Sequence, residues 1–177
     1  MPSKAKFKVT DIQNWLQFMK PVGQLLDAVL KVIHPQLYEA HSKAAASLLN
    51  EPKSEDWPFL TWPFIYSDVD IIANRSIKRH RIRDGADTFY DHLLSLGEGH
   101  NAQLHITNLQ AEFEYQPGTS VLFPGKILAH SVPSWTVGER VVIALYGKDD
   151  VHNWLQLEKP ILLTQSGWWI KNQKVDG

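Results

Sequence analysis

From residue 63 onward the sequence breaks into short apolar runs separated by turn residues, and this pattern limits the fold more than any other feature. The runs are "FIYSDVDIIAN" (64–74), "YDHLLSLG" (90–97), "AQLHITNL" (102–109), "AEFEY" (111–115), "TSVLF" (119–123), "ILAHSV" (127–132) and "RVVIALYG" (140–147). Each is bounded by Gly, Pro, Asn or Asp. Runs this short, at this spacing, predict an all-β sandwich or barrel. The run at 90–97 fits a strand or a helix by periodicity alone, and a strand is the reading adopted here.

The first third has a different period. Between Thr10 and Ile33, apolar residues fall at Ile12, Trp15, Leu16, Met19, Leu25, Leu26, Val29, Leu30 and Ile33. That spacing predicts a helix, with Thr10 or Asp11 as its cap and Pro21 as a break or kink. "PQLYEAHSKAAASLLN" predicts a second helix ending near Asn50, and "EPKSEDWP" a polar loop. The expected fold is therefore mainly β within an α+β class, with two N-terminal helices packed on one sheet of a compact β-barrel or jelly roll. Residues 1–62 would be the helical support, 63–157 the β core, and 158–177 a C-terminal extension of the same domain.

Composition removes several chemistries. There are no cysteines, so a disulfide framework, a thiolate zinc site, a cysteine nucleophile and an iron–sulfur cluster are excluded. The formal net charge of -1 gives no global basic field for nucleic acid. "MPSKAKFKVTD" has no apolar segment behind it, and no run is long enough to span a bilayer. The expected location is intracellular, nuclear or cytoplasmic, and not secreted.

Three residues in the β region form a candidate constellation. His80 follows the strand-like "VDIIANRSIKRH", His130 lies in "ILAHSV", and Arg140 opens the last strong run ten residues later. Two imidazoles and a carboxylate on one face of a metal suit non-heme Fe(II), with open positions for cosubstrate and O2. An Arg one strand further on suits a bidentate grip on a carboxylate.

The words around these residues are more specific. They are Asn74-Arg75, Tyr90-Asp91, Tyr115 with Pro117-Gly118-Thr119, the stretch Gly125 to Val132, Gly138-Glu139-Arg140, and Val151-His152. Across about residues 35–157 they resemble the TET/JBP-like 2-oxoglutarate- and Fe(II)-dependent dioxygenases, and within these the fungal branch. The resemblance implies a double-stranded β-helix (jelly-roll, cupin-like) fold. It implies Fe(II) and 2-oxoglutarate as cofactors, His80 and His130 as iron ligands, and Arg140 on the distal carboxylate of 2-oxoglutarate. The implied reaction is oxidation of a base methyl group, such as that of 5-methylcytosine or thymine in DNA, on a base swung out of the duplex.

One position departs from this pattern. The resemblance expects a carboxylate two residues after His80, and Ile82 stands there. Isoleucine has no lone pair for a metal. Three readings stay open. Asp84 could substitute; a straight strand would carry it about 13 Å from His80, so the turn-like "RDG" would have to bring it back. Iron could bind through two histidines alone, as in related halogenases, although bulky Ile82 would fill the vacated space rather than open it. Or the fold has lost its standard chemistry and serves as a nucleic-acid or ligand binder. A small-molecule or protein oxygenase on the same fold is a further alternative. Asp87 and Asp91 are weaker candidates than Asp84.

Around His80, the residues Arg75, Lys78, Arg79, Arg81 and Arg83 make a basic strip with no acid among them. On an extended strand the four arginines would share the face opposite His80 and Lys78. The strip reads either as a solvated, ion-paired face or as a phosphate contact to DNA. Trp135, just after the His130 run, is a candidate base-stacking surface. Tyr66, Phe123 and Tyr146 are candidates for lining the barrel. Trp57, Trp62, Trp154, Trp168 and Trp169 are expected to pack in the core or against helices. His34, His41, His92, His100, His105 and His152 are expected to be structural or surface groups.

Overall fold

The computed structural model describes residues 9–50 and 62–163. The polar loop 51–58, Trp57, Trp168, Trp169 and most of the expected C-terminal extension lie outside the described residues. The chain divides into two compact units, residues 1–65 and 66–177.

Among the described residues the N-terminal unit holds three helices where two were expected: α1 (Val9–Phe18), α2 (Lys20–Ile33) and α3 (Pro35–Asn50). Pro21 is the reason. It occupies the first turn of α2, where a missing N–H removes no intrahelical bond, so it starts a new helix after Met19 instead of kinking a continuous one. Pro35 disfavours the helical conformation at His34, and His34 closes α2 with φ −139°. Leu26 and Leu30 on α2, and Leu37, Ala40 and Ala44 on α3, are the buried residues of a helical-period stripe.

The second unit has eight strands among the described residues: β1 (Asp68–Ala73), β2 (Ile77–His80), β3 (Asp91–Glu98), β4 (Gln103–Ile106), β5 (Ala111–Glu114), β6 (Ser120–Phe123), β7 (His130–Val132) and β8 (Glu139–Tyr146). A short helix, α4 (Asp149–Trp154), follows them. They form two four-stranded sheets with orders β1-β8-β3-β6 and β2-β7-β4-β5, antiparallel at every pairing. The fold is a double-stranded β-helix, as expected. The run that could have been helix or strand is β3, paired on both sides. Leu93, Phe123, Val142 and Ala144 from one sheet meet Leu104, Ile106 and Val132 from the other in a single apolar core.

Two local features position the site. Along β8, Arg140, Val142, Ala144 and Tyr146 share a face through the period-2 alternation, and all four line one cavity. In β2, Ile77 pairs with Val132 and His80 with His130, so three steps on β2 match two on β7. This bulge breaks the alternation. Ile77 and His80, an odd number of residues apart, both line the cavity.

Candidate active site

The cavity is about 380 Å³ in volume and is lined by residues of both sheets. One end is built around Arg140. Its side chain is buried, at 2% exposure. The turn between β1 and β2 holds it in three ways. Asn74 accepts the Arg140 backbone N–H on Oδ1 at 2.9 Å. The Asn74 N–H donates to the Arg140 carbonyl at 2.7 Å. The Arg75 carbonyl accepts from Arg140 Nη1 at 3.1 Å. Asn74 adopts φ +48° to do so, a conformation Asn tolerates better than most residues. The guanidinium also lies over the rings of Tyr115, at 5.5 Å, and Trp135, at 5.7 Å. The quoted Asn-Arg motif thus acquires a physical role as the clamp on Arg140.

Arg140 has no carboxylate partner among the described residues, and its buried Nε has no hydrogen-bond partner there. Burial pulls its pKa down, partly countered by the adjacent Tyr115. Tyr115 lines the same cavity, and its buried hydroxyl also lacks a partner among the described residues. Burial pushes its pKa well up, so it remains a neutral donor. A buried guanidinium is costly without a counter-charge. Here both residues line a cavity, with these donors buried in its wall, an arrangement that suits an anionic oxygen ligand.

The other end holds the two histidines. Their rings lie 4.3 Å apart, centre to centre, tilted by 53°. His80 Nδ1 donates to the Lys78 carbonyl at 3.0 Å, and His130 Nδ1 donates to the Leu128 carbonyl at 3.0 Å. The two rings make the same bond, each to the carbonyl two residues earlier. An N–H spent on a backbone carbonyl fixes the tautomer and leaves Nε2 with its lone pair, as metal-ligating imidazoles require. Phe123 packs edge-on against His130 at 4.8 Å. Burial and the nearby His80 pull the His130 pKa down, although its bond to Leu128 opposes them.

Ile82 completes this end with hydrocarbon. Its N–H donates to the Gly125 carbonyl at 3.0 Å, and its side chain lines the cavity. Behind it, buried Asp91 accepts the Gly125 N–H on Oδ2 at 2.9 Å. A methyl group on Gly125 would collide with that carboxylate and press on Ile82 Cγ1. This explains the glycine. It also gives Asp91 its role, as the brace beneath the Ile82 segment. Burial pushes the Asp91 pKa up to about 7.

Asp84 lines the same cavity as His80 and His130. Its segment is pinned on both sides. The Arg83 carbonyl accepts from Lys126 Nζ at 3.2 Å, and the Asp84 carbonyl accepts from the Asp149 N–H at 2.9 Å. Among the described residues, no group of three His, Cys, Asp or Glu side chains is placed to hold a metal ion. Tested on its donor set, the site fits Fe(II) in two imidazoles and fails at the third ligand.

The basic strip differs from the extended-strand expectation, because β2 ends at His80. Arg81 and Arg83 lie in the loop that follows and line the cavity with His80, instead of facing away from it. Arg79, Arg81, Thr107 and Asn108 line a second depression beside His80. Arg75, Lys78, Arg79, Arg81 and Arg83 are all exposed, and none forms an ion pair among the described residues. Trp135 is half-buried behind Arg140, with its indole N–H donating to the Gly138 carbonyl at 3.2 Å. Tyr146 lines the cavity, whereas Tyr66 is buried against His92. His34, His41, His92, His100 and His152 are buried, and His105 sits 3.5 Å from Glu112. Sequence reasoning missed the Tyr115 hydroxyl as a cavity donor; its only signal was its place in the quoted "Y-x-PGT" turn.

Comparison with known proteins agrees with this fold. No curated protein matches the chain. Among solved structures, NgTET1 in complex with 5mC DNA is similar, with a TM-score of 0.57 at 17% identity, over 77% of this chain and 51% of that one. The chain thus spans about half of that relative's length, and the likeness is one of fold. Residues 1–149 match Tet_JBP, the oxygenase domain of the 2OGFeDO superfamily. By that match, which covers most of its length, the chain belongs to the Tet_JBP family of oxygenase domains.

Proposed function

We propose that this chain is a 2-oxoglutarate/Fe(II) dioxygenase-like protein of the fungal branch, whose inherited reaction is oxidation of methyl groups on DNA bases such as 5-methylcytosine or thymine. Its metal site is the non-standard His80-x-Ile82 with His130. The observation that carries this reading is the shared cavity. A buried Arg140 without a counter-ion among the described residues and two imidazoles whose Nδ1 atoms are spent on backbone carbonyls line the same space. Arg140 with Tyr115 is suited to the distal carboxylate of 2-oxoglutarate. The similarity to a protein solved with 5mC DNA, and five exposed cationic side chains around His80, support nucleic acid as the partner. When bound, Fe(II) would supply activation of O2. Asp84, one of two carboxylates that line the cavity with Asp70, is the candidate to assist the two histidines.

Ile82 favours a second reading, in which the fold binds nucleic acid or an organic acid without turnover. The test is incubation of the chain with Fe(II), 2-oxoglutarate and a 5-methylcytosine duplex, reading succinate and oxidised base. Succinate formed with oxidised base supports the enzyme. Binding of the duplex that survives chelation and His130→Ala, without succinate, supports the second reading. Turnover only with a metabolite or peptide substrate would overturn the assignment to DNA.

A further inference from the structure

The two ends of the cavity offer opposite hydrogen-bonding groups, and this determines which features of an acid the site can recognise. At the Arg140 end the groups without a partner among the described residues are donors, the guanidinium Nε and the Tyr115 hydroxyl, both buried in the cavity wall. At the histidine end they are acceptors. His80 and His130 have spent their Nδ1–H groups on the Lys78 and Leu128 carbonyls, so each presents an Nε2 lone pair. Ile82 presents neither donor nor acceptor. A 2-oxo group is an acceptor alone. Against two lone pairs and a hydrocarbon it finds no partner unless a metal ion stands between them; the donors on the following loop, Arg81 and Arg83, favour a charged carboxylate over a ketone oxygen, and no third ligand for such an ion is in place among the described residues.

A second carboxylate has other partners. Arg81 and Arg83 line the same cavity on the loop after β2. Asp70 lies on the Tyr146 side, where the Tyr146 hydroxyl reaches its Oδ2 at 3.4 Å, and Asp84 is close enough to raise the Tyr146 pKa. Between the cationic groups the wall is largely aliphatic, with Ile72, Leu104 and Val142 among its residues, which suits a methylene chain.

From this we infer that the cavity binds short aliphatic dicarboxylates through their carboxylates alone, and does not read the 2-oxo group. The inference rests on the proposed function for the organic-acid pocket and replaces its selectivity.

The test is calorimetric titration of the full chain with 2-oxoglutarate and with glutarate, which lacks the oxo group. Each titration is run in chelator and again with Mn(II), a redox-silent ion. Both acids should bind within about threefold of each other in either condition, a difference under the tenfold that 1.4 kcal/mol represents. In Ile82→Asp, Mn(II) should favour 2-oxoglutarate by more than about tenfold. A tenfold or larger preference for 2-oxoglutarate in the natural chain with Mn(II) would overturn the inference and leave the organic-acid pocket standing. Failure of both acids to bind the natural chain would overturn the pocket itself, and the inference with it.

Discussion

The two ends of the cavity are built to different standards. At one end Arg140 is held by four residues: Asn74 and Arg75 through hydrogen bonds, Tyr115 and Trp135 through their rings. At the other end the two histidines are oriented with equal care, yet the side chain beside them is Ile82. The difference separates functions that a complete site would merge. Orientation of the imidazoles comes from backbone carbonyls on β2 and from the turn before β7, so it survives without the carboxylate. Metal affinity depends on the carboxylate itself, through its charge and its bond.

The contrast can be broken most sharply at the Arg140 end. Arg140→Met should lower dicarboxylate affinity more than about 100-fold, roughly 3 kcal/mol for a lost charge-assisted pair. The ligand-free protein should lose little stability, or gain some, because a buried cation without a counter-charge is removed. Calorimetric titration and urea unfolding of the same variant read both effects. A variant that binds normally would show that the clamp on Arg140 is structural.

At the Ile82 end, Gly125→Ala should destabilise the fold by roughly 2–3 kcal/mol, since the added methyl meets the Asp91 carboxylate and Ile82. Denaturant unfolding measures it. A neutral result would mean that the Asp91–Gly125 brace does not fix Ile82.

That brace should also carry a pH signature. Asp91 has its pKa raised from 3.8 to about 7 by burial, so the native state binds a proton that the unfolded chain releases between those values. Its contribution is fully present below about pH 4 and is lost as pH rises through 7, on the order of 2–4 kcal/mol in all. His92, pushed down to about 4 by burial, works the other way across nearly the same window. The natural protein alone would therefore conceal the effect. Relative to Asp91→Asn, whose amide oxygen can still accept from Gly125, the natural protein should lose stability between pH 4 and pH 7. A constant difference across that range would remove Asp91 as a protonated brace.

The strand pattern and the His80, His130 and Arg140 positions were legible in the sequence because each depends on local order: alternation, turn residues and motif spacing. The bulge in β2 was not, since one extra residue leaves no compositional mark, and with it went the expectation that Arg81 and Arg83 face away from His80. The split of the first helical stretch was only half legible. Pro21 signals an interruption, but whether it kinks a helix or begins one depends on where the previous helix stops. The vacant donors on Arg140 and Tyr115 could not be read at all, because lacking a partner is a property of the folded neighbourhood.

We propose that Ile82, and not the placement of the histidines, limits the metal site. This claim is tested most directly by anaerobic Fe(II) titration of the natural chain beside Ile82→Asp, with bound metal measured after gel filtration. The claim predicts that the variant binds at least about tenfold more tightly than the natural chain, from one added carboxylate ligand. Equal, stoichiometric binding by the natural chain would contradict it.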